Sequence, residues 1–95
     1  MKITIEELQE YLFDHYKNGG IDQSLFMKLV EEIGEVAEVL NKKAGRKSVG
    51  QEDLQTQLGN ELADVVHYTI AIAALNGIDM NDIIRSKDKD APIKY

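Results

Sequence analysis

The stretch that decides the fold is L-Q-T-Q-L-G-N-E-L-A-D-V-V-H-Y-T-I-A-I-A-A-L, residues 54–75. Placed on a helix at about 100° per residue, it carries an apolar stripe with Glu61 in its middle and Asp64 one turn on, at the stripe's edge. The stripe consists of Leu54, Leu58, Val65, Tyr68 and Ile72. An ionised carboxylate in such a seam is costly unless a positive group meets it. No Lys or Arg occurs from Ser48 to Ile84, so the compensating charge must come from another helix, another chain or a metal ion.

The rest of the chain also has helical patterning, and no stretch alternates as a β-strand would. Thr4 and Glu7 fit a capping box that opens a first helix, which stops before Gly19-Gly20. Its apolar residues are Ile5, Leu8, Leu12 and Tyr16, with Phe13 beside them. A second helix is expected to begin with Asp22 as its N-cap and to stop at Gly45. Its apolar residues are Leu25, Leu29, Ile33, Val36, Ala37 and Leu40.

The third helix is expected to run from about Gln51 to Leu75 and to end at Asn76-Gly77. Asp79 can cap a short fourth helix that continues to about Lys87. The prediction is an all-α domain of four helices with short connections, resembling a four-helix bundle.

Length and composition limit the class of protein. The 95 residues suffice for one domain, 1–95, whose charged tail at 87–95 can be flexible. A chain this short often gains stability by association, so a homodimer or homotetramer is expected. The net charge of −6 argues against nucleic acid or an anionic membrane as partner. With no cysteine, no signal peptide and no membrane-spanning run, a cytoplasmic protein is expected.

Two acidic pairs carry the candidate chemistry. Glu32 and Glu35 are three residues apart on the second helix, and Glu61 and Asp64 repeat that spacing on the third. Residues three apart on a helix are neighbours, so two packed helices would bring four carboxylates to one gap. These groups repel one another without counter-charge, and two divalent cations would neutralise them. Ligation by oxygen alone suits Mg²⁺, or alternatively Mn²⁺.

Other readings of these residues stay open. Glu31, Glu35 and Glu38 can form a solvated helix face, with Lys28 paired to Glu31 or Glu32. Glu61 can be held in a buried ion pair with Lys28, Lys42 or an arginine of a partner chain. His67 projects away from Glu61 and is expected to be packed or exposed rather than a ligand, whereas Tyr68 can be core or touch a substrate. The cations Lys42, Lys43, Arg46 and Lys47 can stabilise a helix C-terminus or contact phosphate.

The two motifs Glu32-x-x-Glu35 and Glu61-x-x-Asp64 resemble the signature of the MazG-like all-α nucleotide pyrophosphohydrolases. The surrounding sequences, L-V-E-E-I-G-E at 29–35 and E-L-A-D-V at 61–65, strengthen the resemblance, which covers about residues 25–87. It implies an enzyme that hydrolyses a nucleoside triphosphate to a monophosphate and pyrophosphate. One biological role to expect of such an enzyme is the removal of non-standard nucleotides.

The resemblance also implies roles for individual residues. Glu32, Glu35, Glu61 and Asp64 would be the Mg²⁺ ligands, and Glu35 or Glu38 would assist as the general base. Substrate contacts are expected from Lys28, Tyr68, Lys87 and Lys94. Relatives often end with a Lys, an Asn and an Arg; Lys87 matches the first, whereas Ala91 and Lys94 stand at the other two positions. Phe13, Tyr16 and Phe26 can line a base pocket or belong to the core.

Two alternatives remain beside the enzyme. The altered tail fits a module of the same fold that senses nucleotides without hydrolysing them. The acidic pairs also fit a structural helical oligomer in which they form ion pairs between chains.

Overall fold

The computed structural model describes residues 1–45 and 53–87, and within these ranges the chain is all-helical. The helices are α1 (Ile5–Tyr16), α2 (Asp22–Lys43), α3 (Leu54–Leu75) and α4 (Met80–Lys87). The predicted all-α, four-helix architecture is therefore confirmed. No helix in this part of the chain is long and apolar enough to cross a membrane.

The start of α1 is the predicted capping box. The backbone N–H of Glu7 donates to Thr4 Oγ1 at 3.0 Å, and the N–H of Thr4 donates to Glu7 Oε1 at 3.0 Å. After α1 the chain turns tightly, because the carbonyl of Tyr16 accepts hydrogen bonds from the N–H groups of Gly19 (3.1 Å) and Gly20 (2.7 Å). A Cβ on Gly20 would lie 2.8 Å from the Cβ of Tyr16, so the turn has no room for a side chain there.

The start of α2 differs from the prediction. Asp22 is the first residue of the helix and Ile21 occupies the N-cap position, without a side-chain capping bond. The Asp22 carboxylate instead accepts a hydrogen bond from Asn76 Nδ2 at 3.0 Å, which joins the beginning of α2 to the end of α3. The two residues are 54 positions apart, so no local sequence pattern could show this contact. The predicted stop holds: α2 ends at Lys43, and Gly45 has a φ of +77°.

The helix α3 begins at Leu54, three residues later than the predicted start at about Gln51. Its N-cap is Asp53. Asp53 accepts hydrogen bonds from the backbone N–H of Thr56 at 3.1 Å and from its hydroxyl at 2.6 Å. Residues 51 and 52, where the helix was predicted to start, lie outside the described ranges. The predicted end at Asn76-Gly77 is confirmed, with a φ of +67° at Gly77. Asp79 caps α4 as expected by accepting from the N–H of Asp82 at 3.1 Å.

The third helix is the centre of the packing. It contacts both α2, most extensively, and α1, while α4 rests against α1. The core between α1, α2 and α3 is small and consists of Leu12, Leu25, Ile70 and Ala71. The predicted stripe of α1 packs on this core through Ile5, Leu8 and Tyr16. The helix that carries Glu61 and Asp64 is therefore packed against two other helices.

The apolar stripe predicted for α2 is only partly buried. Leu25 is buried and Leu29 and Val36 are half-buried, but Ile33 and Leu40 are 52% and 48% exposed. Val39, which the prediction omitted, is buried instead. The reason is geometric: α3 covers only one side of the stripe, and the other side faces away from it.

An outer apolar face results on α2 and the neighbouring surface of α3. On α2 its residues follow one another at spacings of four, three and seven positions, as on one side of a helix. The face consists of Phe26, Val30, Ile33 and Leu40 on α2 and of Leu62 and Val66 on α3, all exposed in the single chain. So many large exposed apolar side chains on two packed helices are more typical of an interface than of a monomer's surface.

Candidate metal centre

Two glutamates face each other where α2 and α3 pack. Glu32 lies on the same side of α2 as Leu29, Val36 and Val39, which is the more buried side of that helix. Glu61 lies in the apolar stripe of α3. Both side chains are half-buried, as the sequence pattern predicted for Glu61. Their positions follow from helical periodicity, and only their meeting depends on how the two helices pack.

Asp64 completes a cluster with this pair. One carboxylate oxygen from each of Glu32, Glu61 and Asp64 lies within 4.8 Å of the others. Asp64 is exposed, so the cluster opens to solvent on its side and is closed between the helices. The structure thus brings together three of the four predicted ligands as one group of oxygen donors.

The inner oxygens of the cluster lack donors. Oε2 of Glu32 and Oε2 of Glu61 are buried, and neither has a hydrogen-bond partner among the described residues. Buried polar atoms are nearly always paired, so these two oxygens are suited to binding a positive group or to sharing a proton.

Glu35, the fourth predicted ligand, is exposed one turn beyond Glu32 but lies close enough to act on Glu61. The carboxyls of Glu35 and Glu32, which can share a proton with Glu61 by hydrogen bonding once it is protonated, raise the pKa of Glu61 to about 7, together with burial and their negative charges. The hydrogen bond from Glu61 lowers the pKa of Glu32, yet burial and the charges of Glu35 and Asp64 raise it overall. Without a cation, the group relieves its repulsion by keeping a proton on Glu61.

No described basic residue neutralises the pair. The ion pairs between described residues are Lys17–Asp14 and Lys28–Glu31, each at 3.4 Å and both exposed. The pairing of Lys28 with Glu31 was one of the predicted alternatives, and it leaves Glu32 and Glu61 without Lys28 as partner. Clustered carboxylates with orphaned oxygens fit a hard divalent cation, because such ions take oxygen ligands.

The other predicted residues are placed as follows. Glu38 is half-buried, one turn beyond Glu35 on α2, and makes contacts of its own. Tyr68 is half-buried and packs against the core, with its ring edge-on to His67 at a centroid distance of 4.8 Å. Lys87 is the last residue of α4. Lys94 and Ala91 lie outside the described residues, as do Arg46 and Lys47.

The structure adds a contact that the sequence did not reveal. The hydroxyl of Tyr16 and Nε2 of His67 are 2.7 Å apart, and both residues are half-buried. His67 is thus packed, one of the two predicted outcomes, and its pKa is lowered by burial. Burial likewise raises the pKa of Tyr16. The partners are 51 residues apart, and no local pattern signals such a pair.

Of the three aromatic residues considered for a base pocket, only Tyr16 packs on the core. Phe13 is 44% exposed and Phe26 is 54% exposed, so neither is a core residue of the single chain. Phe26 belongs to the outer apolar face.

Comparison with protein families shows which family the chain resembles. A model described as the MazG nucleotide pyrophosphohydrolase domain matches residues 22–89. The matched segment contains α2, α3 and α4 with all four predicted acidic ligands, whereas α1 lies before it. A comparison with curated proteins finds no match to the chain.

Proposed function

The chain belongs to the MazG nucleotide pyrophosphohydrolase domain family, and we propose that it hydrolyses a nucleoside triphosphate to a monophosphate and pyrophosphate. One observation carries the proposal. Glu32 and Glu61 meet between two packed helices with buried oxygens that have no partner, in a cluster completed by Asp64. Burying two carboxyls without partners costs free energy, and packing two helices for structure alone does not require it.

The proposed ligands are Glu32, Glu61 and Asp64, with Glu35 joining them from the exposed side. Mg²⁺ is the proposed ion and Mn²⁺ the alternative, because the donor set is all oxygen. A bound divalent cation would offset the carboxylate charges, bind phosphate oxygens and lower the pKa of a bound water. Family membership supports the dependence on a divalent metal, since members of this family require one.

The chain's own residues then supply orientation and proton transfer. Glu35 or Glu38 is the proposed general base, since both follow Glu32 on α2 at intervals of three residues. Glu35 is exposed beside the cluster and can reach a water there, whereas Glu38 lies one turn farther along. Because Glu35 is also a proposed ligand, the test is Glu38→Gln: loss of turnover with intact metal binding would identify Glu38 as the base, whereas full turnover would leave Glu35 in that role.

Substrate contacts are proposed for four residues. Lys28 lies one turn before Glu32, and its exposed pair with Glu31 can exchange for a phosphate because such surface pairs contribute little. Tyr68 lies one turn beyond Asp64. Lys87 and Lys94 would contribute positive charge near the C-terminus, where relatives carry basic residues.

We further propose a single domain, 1–95, that forms a homodimer or homotetramer through its outer apolar face. An acidic chain of this kind is proposed to act in the cytoplasm on free nucleotides rather than on nucleic acid. Removal of non-standard nucleotides is the biological role proposed.

Glu61→Gln tests the proposal. The variant keeps the shape of the side chain but loses its charge, so we expect Mg²⁺-dependent pyrophosphate release from a panel of nucleoside triphosphates to fall at least about a hundredfold. Circular dichroism should show an unchanged helical fold. Glu10→Gln is the matched control, because it makes the same change on an exposed position of α1 and should retain full activity.

The same assay separates the alternatives. Full turnover by Glu61→Gln would remove this residue from the ligand set. Nucleotide-induced thermal stabilisation of the wild-type protein without hydrolysis would indicate a sensor of the same fold. Neither hydrolysis nor stabilisation would leave a structural helical protein.

A further inference from the structure

We propose that Tyr16 is a positioning residue for the metal centre: through its hydrogen bond to His67 it holds the turn of α3 that carries Asp64. The inference builds on the proposed function, because it assigns Tyr16 a role in metal binding by that site. It also assigns α1, which lies before the family match, a part in the site.

Tyr16 is held firmly at the end of α1. Its carbonyl accepts two backbone hydrogen bonds, from Gly19 and Gly20, and its ring packs against the core. Gly20 lies so close to Tyr16 and Leu75 that a Cβ there would approach their atoms to 2.8 Å and 3.0 Å. The backbone and ring of Tyr16 are therefore restrained, and its hydroxyl contacts α3 from a defined position.

On α3, the hydrogen bond between Tyr16 and His67 lies beside the carboxylate cluster. His67 and Tyr68 follow Asp64 by three and four residues, so all three are neighbours on the helix. The hydroxyl of Tyr16 meets Nε2 of His67 at 2.7 Å, and the His67 ring stands edge-on to Tyr68 at 4.8 Å. Asp64 is exposed, so its direction depends on the orientation of this turn of α3.

The hydrogen bond has a defined polarity. Burial lowers the pKa of His67 and raises that of Tyr16, so near neutral pH the imidazole is neutral and the phenol keeps its proton. The Tyr16 O–H then donates to Nε2 of His67. A part-buried bond of this kind restrains both helices, because breaking it would leave two polar groups without partners.

The test measures Mn²⁺ binding to Tyr16→Phe by isothermal titration calorimetry. The variant removes only the hydroxyl, and we expect its dissociation constant for Mn²⁺ to rise about fivefold while helix content is unchanged. Tyr11→Phe is the matched control: it removes the hydroxyl of an exposed tyrosine on the same helix and should bind as the wild type does.

A second pair of variants separates hydrogen bonding from packing. His67→Gln retains a polar group that can accept from Tyr16, whereas His67→Leu fills similar space without one. We expect His67→Gln to keep Mn²⁺ binding within about twofold of the wild type and His67→Leu to weaken it as Tyr16→Phe does.

The outcomes are distinct. Equal Mn²⁺ affinity in the wild type and Tyr16→Phe would overturn the positioning role and leave the proposed function standing. Equal losses in His67→Gln and His67→Leu would also overturn it, because packing alone would then account for the effect. Absence of Mn²⁺ binding by the wild-type protein would overturn both this inference and the proposed function.

Discussion

Glu61 shows how one residue can set the requirement for a whole site. Its position in the apolar stripe of α3 follows from helical spacing alone, and the structure places it against Glu32 between two helices. Neither carboxylate has a basic partner among the described residues, so each increases the cost of burying the other. A carboxylate cluster that destabilises the fold until a cation neutralises it is suited to binding a cation rather than to stabilising the protein.

The metal-free protein should therefore depend on pH through Glu61. Its pKa is raised from 4.5 to about 7 by its hydrogen bonds with Glu35 and Glu32, so between these values the native state holds a proton that the unfolded chain has released. The free energy of unfolding then decreases as the pH rises through this window. In EDTA, the melting temperature of the wild type should fall more between about pH 5 and about pH 8 than that of Glu61→Gln.

The comparison between the two proteins isolates Glu61, because other titrating groups contribute to both. Added Mg²⁺ at about pH 8 should raise the melting temperature of the wild type but not that of Glu61→Gln. Parallel decreases in the two proteins would mean that Glu61 keeps an ordinary carboxyl pKa.

At the scale of elements, the turn between α1 and α2 decides where α1 lies. Gly20 approaches Tyr16 and Leu75 more closely than any side chain allows, and this brings the end of α1 against the end of α3. The neighbouring Gly19 is different, because a Cβ there would meet no atom within 4 Å. Adjacent glycines thus have unequal roles that the dipeptide itself does not reveal.

Gly20→Ala should destabilise the protein by about 1–3 kcal/mol, since the new methyl group must push aside the backbone of Tyr16. Gly19→Ala is the matched control and should change stability by no more than about 0.5 kcal/mol. Urea unfolding followed by circular dichroism measures both. Similar stabilities for the two variants would show that the close approach at Gly20 is not required.

At the scale of the whole molecule, the single chain leaves much apolar surface uncovered. Its described buried residues are few, while the outer apolar face on α2 and α3 presents several large side chains to solvent. The face runs along α2 beside the side that carries Glu32, so a second chain docking there would lie next to the candidate metal centre.

Ile33→Glu should therefore dissociate the proposed oligomer, because it places a charge in the middle of the outer apolar face. Sedimentation velocity should show an oligomer for the wild type and a monomer for the variant. Ile3→Glu is the control, since Ile3 is also exposed but precedes α1, and it should leave the oligomer intact. A monomeric wild-type protein would contradict the proposed assembly.

The sequence by itself determined the helices and most of their ends, since capping and helical periodicity are local: Thr4, Asp79, Gly45 and Gly77 act as predicted. It also placed the acidic residues on their helix faces, because a spacing of three positions is enough for that. Only the tertiary structure decided that Glu32 meets Glu61, that Tyr16 bonds to His67 and that half of the α2 stripe stays exposed. These outcomes depend on how far and at what angle distant helices pack, which no local pattern contains.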